Sequence, residues 1–366
     1  GLIQLVKAAG ACLVGAGIAV VLTAATGLLC RTILTAMQTP EEIFADAYSY
    51  IFVIFMGIPA SILYNLLAAI MRSLGDSKTP VYFLALSSFL NIFLDFALVL
   101  WADMGVLGVA LGTIISQAFS WLFGIFFINR RYPQIRIRPF CRRFDRELFR
   151  QIMGIGLPAG IQMSLVAVGS MVIMSKVNSY GEAYTAGYNV GYRLDQLAFL
   201  PVQSLSNAVT AFVGQNIGAK RLDRARRGVR VTVGSAVGGA LAMTALLIPC
   251  GPFFISIFSQ TPAVIDAGAA YLQGIMPFYA LFAVFFTLNN AMRGAGESVF
   301  PMVNTILSLI LLRVPSVYLM AAYFGPAYMY YGFGVGWAVG FAATVAYYLS
   351  GRWLRHGSLA EEKQQE

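Results

Sequence analysis

Long apolar runs separated by short polar connectors dominate the chain. A run of about 20 apolar residues is long enough to cross the roughly 30 Å hydrocarbon core of a bilayer as an α-helix. Ten such runs occur, so the pattern predicts ten membrane-spanning helices. The predicted spans are 8–30, 43–71, 81–101, 106–128, 152–175, 184–213, 229–258, 270–292, 299–323 and 330–350.

Composition supports an all-α polytopic membrane protein. The chain is 58% apolar and 11% charged, and its mean hydropathy is +0.73, whereas soluble domains carry about 25% charged residues. Four widely spaced cysteines argue against a disulfide framework or a zinc site. The single histidine, His356, removes most metal and acid–base chemistry. We therefore expect no metal and no other cofactor.

Two polar segments recur at nearly one distance along the chain. QTPEEIFADA at 38–47 returns as QTPAVIDAGA at 260–269, and RSLGDSKTP at 72–80 returns as RGAGESVFP at 293–301. Two blocks at nearly one offset predict two homologous halves. Six spans separate each position from its copy, so both halves cross the membrane in the same sense. Such parallel repeats are typical of alternating-access transporters, in which two helical bundles enclose a cleft. The second block matches at Arg72, Gly75, Asp76 and Pro80 with Arg293, Gly296, Glu297 and Pro301.

The repeated turn has a clear local chemistry. Gly75 permits positive φ, Thr79 is biased towards extended geometry before proline, and Pro80 can open the next helix. Arg72 near a helix C-terminus and Asp76 near the next N-terminus complement the two helix dipoles. We interpret the segment as a structural elbow needed once per half. A gating role is the alternative.

The repeat also predicts the domain organisation. We expect an N-terminal lobe of four spans at 1–130, a cytoplasmic linker at 131–150, a C-terminal lobe of six spans at 151–350 and a cytoplasmic tail at 351–366. The second half has two more spans ahead of its QTP block than the first. We therefore expect that the first two of twelve spans are missing from this chain.

The distribution of Lys and Arg predicts orientation. If connectors alternate between sides, one side collects 21 of the 25 cations, and positively charged loops remain in the cytoplasm. The loops carrying Arg72 and Arg293, and the linker, are therefore predicted to be cytoplasmic in a multi-pass protein of the cell (inner) membrane. The formal charge of +9 is then a topology signal. No basic domain stands outside the membrane, so nucleic-acid binding is not expected.

The order of several motifs resembles one transporter family. An apolar helix containing MGIP precedes RSLGDSKTP, and LNIFLDFALVL, GVLGVALGT, IGLPAGIQ and AFVGQNIGAKR follow. This order is similar to that of the multidrug and toxic compound extrusion (MATE) family of cation-coupled antiporters. The resemblance runs from the third of twelve helices to the end. It implies a two-lobed bundle, which we expect to be monomeric, exporting small organic, often cationic, compounds against H⁺ or Na⁺ entry.

One acidic residue lies deep in a predicted span. Asp95 is about fourteen residues into its helix, where ionisable groups are costly and usually functional. Asn91 lies one turn earlier on the same face. The resemblance implies that Asn91, Asp95 and Thr113 form a cluster that binds the coupling cation, with a further acid on the missing first helix. The alternative is that Asp95 lies close enough to the outer surface to be hydrated.

Another branch of the MATE family carries acids on two helices of the C-terminal lobe. Here the corresponding stretches, IGLPAGIQMSLVAV and FYALFAVFFTLNNAM, contain no acid. This difference favours proton coupling in the N-terminal lobe. Arg193 and Asp195 share a helix but are two residues apart, so they do not face each other. The candidates for lining a substrate cleft, with ordinary packing as the alternative, are Tyr64, Gln117, Gln162 and Met163.

Small residues and prolines predict how the helices pack. Glycines four apart let helix backbones approach closely within a membrane, and prolines inside spans can bend helices around a cleft. The glycine stripes are Gly108–Gly112, Gly156–Gly160 and Gly332–Gly336–Gly340, and the intramembrane prolines include Pro59, Pro158, Pro201, Pro277 and Pro315.

Two other function classes remain open from the sequence. A lipid-linked oligosaccharide or lipid flippase of the same superfamily would share the repeat. Such proteins usually have more helices or more interior arginines, and only Arg193 and Arg313 lie away from the ends of the predicted spans here. A membrane-embedded enzyme would need a nucleophile, metal or histidine set, and neither HExxH nor GxSxG occurs. We therefore expect a transporter and not an enzyme.

Overall fold

The structure, a computed structural model, describes residues 2–36, 41–73, 76, 78–131 and 146–354. This part of the chain is helical and contains no strand, which confirms the predicted all-α class. The α-helices are α1 Leu2–Ala36, α2 Glu41–Met56, α3 Ile58–Ser73, α4 Lys78–Phe96, α5 Gly105–Arg131, α6 Arg146–Asn178, α7 Glu182–Gly218, α8 Leu222–Ser256, α9 Pro262–Ile275, α10 Tyr279–Gly294, α11 Val299–Ile306, α12 Arg313–Phe324 and α13 Tyr331–Leu349.

The membrane spans agree with the apolar runs. Among the described residues, nine helical segments are long and apolar enough to cross a membrane, and α2 with α3 makes a tenth when this bent pair is counted as one span. Other spans also contain segments that are not α-helical. A π-helical segment, Ala97–Trp101, extends α4; a 3₁₀ turn, Met276–Phe278, joins α9 to α10; and a second π-helical segment, Leu307–Leu312, joins α11 to α12.

The bends recur at equivalent places in the two halves. Tyr279 and Gly294, which bound α10, lie 221 residues after Ile58 and Ser73, which bound α3. Helices α2 and α3 meet at an angle of 40° around Gly57. Pro59 and Pro277 lie at these two breaks, where the missing N–H of proline removes a helical hydrogen bond. By contrast, Pro158 and Pro201 lie inside the unbroken helices α6 and α7.

The repeated elbow has the same backbone hydrogen bond in both halves. Gly296 has φ of +88°, and the N–H of Glu297 donates to the carbonyl of Met292 over 3.0 Å. This is the pattern of a Schellman C-cap. In the first copy the N–H of Asp76 donates to the carbonyl of Met71, also over 3.0 Å. Gly75 lies outside the described residues.

The acidic residue of each elbow caps the following helix. Asp76 Oδ1 accepts the backbone N–H of Thr79 over 3.0 Å, and Glu297 Oε1 accepts the N–H groups of Val299 and Phe300, each over 3.0 Å. These bonds satisfy N–H groups that have no partner within the helix, and the carboxylates complement the helix dipole.

The expected extended geometry of Thr79 is wrong. Helix α4 begins at Lys78, so Thr79 is already helical and Pro80 lies within the first turn. A proline is tolerated there because the first N–H groups of a helix need no intrahelical acceptor. The same arrangement occurs in the second half, where α11 begins at Val299, two residues before Pro301.

The chain divides into two compact units, Gly1–Ile152 (unit 1) and Met153–Glu366 (unit 2). Arg131 still belongs to α5 and Arg146 is the first residue of α6, so residues 132–145 of the predicted linker lie outside the described residues.

At the predicted tail, Arg352–Leu354 form a 3₁₀ turn. Within that turn Trp353 is buried and stacks on Tyr348 with ring centroids 5.0 Å apart. Residues 355–366 lie outside the described residues.

Each unit has its own core. In unit 1, Leu67 and Met71 of α3 pack with Phe83 of α4 and Ile128 of α5. The core of unit 2 is larger and contains many aromatic side chains. Its fully buried aromatic members include Tyr271, Tyr279, Phe285 and Tyr330.

Two of the three predicted glycine stripes are packing faces. A Cβ at Gly108 would come within 3.1 Å of Leu98, and one at Gly332 would meet the backbone of Val317 at about 2.5 Å. The packing predicted for the third stripe is not observed. A Cβ added to Gly156 or Gly160 on α6 would meet nothing within 4 Å among the described residues, so this face is not packed within unit 2.

Candidate functional site

The predicted coupling residues of unit 1 lie together between α4 and α5. Asn91 Nδ2 donates to Asp95 Oδ1 over 3.1 Å and to Thr113 Oγ1 over 3.4 Å. Thr113 Oγ1 in turn donates to the carbonyl of Val109 over 3.0 Å, which leaves its lone pairs for the amide. The structure therefore brings all three side chains into one hydrogen-bonded group, the Asp95 cluster.

A glycine on α5 makes room for the carboxylate of this cluster. A Cβ at Gly112 would overlap Asp95 Oδ1. Gly112 therefore allows the carboxylate to lie directly against the helix that carries Thr113. From the sequence, Gly112 was assigned only to helix packing. Only its position next to Thr113 in the sequence indicates that Gly112 could contribute to the cluster.

A break in regular α-helix follows Asp95. The π-helical segment Ala97–Trp101 begins two residues later, and the N–H of Ala102 donates to the carbonyl of Ala97 over 3.2 Å. Asp103 then adopts φ of +51°. Short π segments inside α-helices are rare and occur frequently at functional sites. The backbone next to the carboxylate is therefore irregular, whereas α5 on the facing side is not.

A polar cavity of about 290 Å³ lies in unit 1 beside the cluster. Both cleft candidates of this unit line it: Gln117 accepts a hydrogen bond from Ser61 Oγ, and Tyr64 donates to the carbonyl of Pro80 over 3.2 Å. Asn91 and Thr113 also face this cavity. Asp95, which is half-buried, instead borders an apolar depression formed with Ile92, Phe96, Val99 and Leu100.

The two remaining cleft candidates line a larger cavity in unit 2, of about 380 Å³. Gln162 Nε2 donates to Thr305 Oγ1 over 2.8 Å, and Gln162 Oε1 accepts a hydrogen bond from Arg293. Met163 is largely exposed at its edge. Arg293, identified from the sequence as an elbow residue, therefore also lines this cavity.

Asp195 is a functional candidate that sequence reasoning missed. Its Oδ2 accepts the hydroxyl of Tyr271 over 3.1 Å, and its backbone carbonyl accepts the hydroxyl of Tyr279 over 3.3 Å. Oδ1 is buried and has no hydrogen-bond partner in the described part of the chain. Asp195 lines the unit 2 cavity, whereas Arg193 is exposed. An acidic residue within a predicted span is itself an indication of a functional site. From the sequence, Asp195 is considered only as a possible partner of Arg193.

Arg313 contributes a buried positive charge to the same cavity. Its side chain is 7% exposed, and its guanidinium carbon lies 4.8 Å from the centroid of the Phe333 ring. Arg313 Nε has no hydrogen-bond partner among the described residues. The second π-helical segment ends immediately before Arg313. Each π segment of the described chain therefore borders an ionisable side chain inside a span.

Sequence comparisons match the chain to one family model and to several curated relatives. The MatE family model matches residues 6–97 and 158–319. The probable multidrug resistance protein YpnP of Bacillus subtilis is 32% identical over 339 residues, which cover 92% of this chain and 75% of YpnP. The probable multidrug resistance protein NorM of Thermotoga maritima is 27% identical over 364 residues, covering 95% of this chain and 76% of NorM.

Solved structures share the fold. A MATE crystal structure in the bent conformation superimposes with a TM-score of 0.87 at 21% identity, covering 97% of this chain and 79% of that one. An outward-facing MATE transporter of the MOP superfamily gives a TM-score of 0.86 at 21% identity, covering 96% and 78%. The matched family model and the YpnP relationship show that the chain belongs to the MATE family of membrane transporters and is not an enzyme.

Proposed function

We propose that the protein is a proton-coupled antiporter that exports small organic, often cationic, compounds by alternating access. The observation that supports this proposal is the Asp95 cluster, a carboxylate hydrogen-bonded within a membrane span of a MATE transporter. The curated relatives are named as multidrug resistance proteins. H⁺ is proposed in preference to Na⁺ because the stretches IGLPAGIQMSLVAV and FYALFAVFFTLNNAM, which correspond to the acid-bearing helices of another branch of the family, contain no acid.

The hydrogen bonds of the cluster suggest how a proton could change the protein. The Asn91 amide donates to Asp95, and a hydrogen bond to an ionised carboxylate is stronger than one to a neutral carboxyl group. Protonation therefore weakens this contact and also removes the cost of holding a charge within the span. Both effects favour a different packing of α4 against α5.

The irregular backbone beside the cluster is where such repacking would occur. The π-helical segment Ala97–Trp101 begins two residues after Asp95, and a π segment can return to α-helical hydrogen bonding by a local shift. Export is coupled to proton entry when the proton and the substrate bind preferentially to different conformations. In this scheme substrate leaves outwards when Asp95 is protonated, and the reverse step follows proton release inwards.

The proposed topology follows from the cations. In this arrangement the elbows carrying Arg72 and Arg293 and the segment 131–150 face the cytoplasm. In this proposal the protein acts as a monomer in the cell membrane. Tagging the α7–α8 loop at residues 219–221 and the α6–α7 loop at residues 179–181 for accessibility on opposite membrane faces would test this orientation.

Dye accumulation in cells tests the function. Cells that express the full-length protein should accumulate less of a cationic dye than cells carrying an empty vector, and a protonophore should abolish the difference. The gradient is the energy source in this proposal, so ATP alone should not sustain export. Export that continues after the proton gradient has collapsed, in cells still supplied with ATP, would contradict the proposal.

A further inference from the structure

We propose that the cavity of unit 2 binds an aromatic organic ligand that carries both a cationic and an acidic group. In this arrangement Asp195 binds the cationic group and Arg313 the acidic group. This inference rests on the proposed function as an exporter of organic compounds and adds a site and a substrate class to it. We call the site the Asp195 cavity.

The size and walls of the Asp195 cavity fit an aromatic ligand. Its volume of about 380 Å³ is within the range of roughly 300–1,000 Å³ typical of small-molecule pockets. Tyr188, Phe282, Phe333 and Trp337 line it, and the rings of Phe282 and Trp337 stack with centroids 4.7 Å apart. Such faces favour flat aromatic groups and attract organic cations.

The two charges of the cavity attract each other but are not in direct contact. In the part of the chain that the structure describes, neither Asp195 nor Arg313 forms an ion pair. Charges held within a membrane span are costly unless they are compensated. A ligand with one group of each sign would compensate both. A purely cationic ligand would leave Arg313 without an anionic partner and would be repelled by it.

Hydrogen-bonding atoms without partners also favour a ligand that carries both donors and acceptors. Asp195 Oδ1 is an acceptor without a partner, whereas Arg313 Nε and Trp337 Nε1 are donors without partners among the described residues. These three atoms are buried, so a small rearrangement of side chains must accompany binding. Because unpaired buried groups penalise the protein without ligand, a ligand offering both donors and acceptors gains more than one offering a single type.

A matched pair of dyes tests this charge requirement. Rhodamine 110 has a free carboxylic acid beside its cationic ring system, and rhodamine 123 is the methyl ester of the same molecule. Fluorescence anisotropy of each dye with the purified full-length protein in nanodiscs measures binding without any ion gradient. We expect rhodamine 110 to bind at least about tenfold more tightly, which corresponds to about 1.4 kcal/mol.

Two substitutions assign the preference to the cavity. Arg313→Gln should weaken rhodamine 110 binding and leave rhodamine 123 unchanged or tighter, so the ratio of the two dissociation constants falls to about one. Asp195→Asn should weaken both dyes. Arg193→Gln is the matched control, because it removes the same charge from an exposed position of α7. It should keep the wild-type ratio.

Unchanged dye preference in Arg313→Gln, or equal wild-type affinity for both dyes, would overturn the proposal. If Arg313→Gln does not fold, Arg313→Lys should keep the preference, because the charge is retained. Quenching of Trp337 by rhodamine 110, identified by its loss in Trp337→Phe, provides a measurement in a protein with both charges intact. Absence of this quenching would also contradict the site. Binding without coupled export would refute only the proposed function.

Discussion

The polar groups of the two units differ although their scaffolds match. In unit 1, Asn91, Asp95 and Thr113 bond directly to one another beside a cavity lined mainly by small polar side chains. In unit 2, Asp195 and Arg313 line a larger, aromatic cavity without pairing. The elbows, by contrast, share even their backbone hydrogen bonds. The two units therefore share the turn between helices and differ in their intramembrane chemistry.

The aligned positions show this divergence most directly. At the offset of 221 residues, Leu312 and Ser316 take the places of Asn91 and Asp95, so unit 2 has no copy of the Asp95 cluster. The ionisable residue in that span of unit 2 is instead Arg313, of opposite charge. The proposals assign proton coupling to unit 1 and ligand binding to the cavity of unit 2. The following predictions test that division.

The largest effect is expected from Asp95→Asn. An amide cannot exchange a proton in the physiological range, so export of a cationic dye by cells carrying the full-length variant should fall to the empty-vector level. Intracellular dye fluorescence measures the effect. Membrane abundance on an immunoblot should equal that of wild type, because the side chain is half-buried and nearly isosteric. Dye export that equals wild type at equal abundance would show that Asp95 is not required.

Gly112→Ala should remove most, but not all, of the exchange activity. The added Cβ would overlap Asp95 Oδ1, so the carboxylate must move away from α5 and from Thr113. Substrate-stimulated proton exchange in proteoliposomes should drop to a small fraction of the wild-type rate. Gly234→Ala is the control, because a Cβ there meets nothing within 4 Å. Equal rates in both variants would argue against this placement of the carboxylate.

The partners of Asp95 should matter less than Asp95 itself. Asn91→Ala removes a hydrogen bond to a carboxylate, worth about 1.5 kcal/mol at the lower limit for charged groups, and should slow exchange about tenfold. Thr113→Ala should have a smaller effect, since Thr113 contacts Asn91 over 3.4 Å and not the carboxylate. Initial rates of exchange give the order. A larger loss in Thr113→Ala than in Asn91→Ala would reverse it.

The smallest effect is expected at the elbow. Gly296 has φ of +88°, so Gly296→Ala should lower the free energy of unfolding by about 1–2 kcal/mol through backbone strain. The thermal unfolding midpoint in detergent should fall by a few degrees, with exchange retained in the folded protein. Gly218→Ala provides the control at a helix end without close contacts. Loss of exchange without loss of stability would instead support a gating role for the elbow.

The sequence predicted the spans and the positions of the elbows because each depends on local chemistry, whereas the geometry expected of Thr79 was wrong. The run predicted at 81–101 is a helix extending over Lys78–Trp101, since bilayer thickness sets the length of an apolar run. Asn91 and Asp95 were predicted to share a face from helical spacing alone. Thr113 came from the family resemblance, because periodicity does not say which positions of α4 and α5 face each other.

The Asp195 cavity could not be derived in the same way. Asp195, Tyr271 and Arg313 come from α7, α9 and α12, and no repeated motif or regular spacing links them. Tertiary packing alone brings them to one cavity. The π-helical segments could not be predicted either, because their sequences, ALVLW and LSLILL, are typical of an ordinary apolar α-helix. The intramembrane charges themselves were the only available signal.

Proton movement in proteoliposomes tests the central claim most directly. Full-length wild-type protein, Asp95→Asn and Asp103→Asn would be reconstituted with a pH-sensitive dye inside, and a cationic substrate added outside. Asp103→Asn is the matched control, because it makes the same acid-to-amide change at an exposed residue after the π-helical segment. We predict substrate-stimulated proton exchange in wild type and Asp103→Asn and none in Asp95→Asn. Exchange at the wild-type rate in Asp95→Asn would contradict the account.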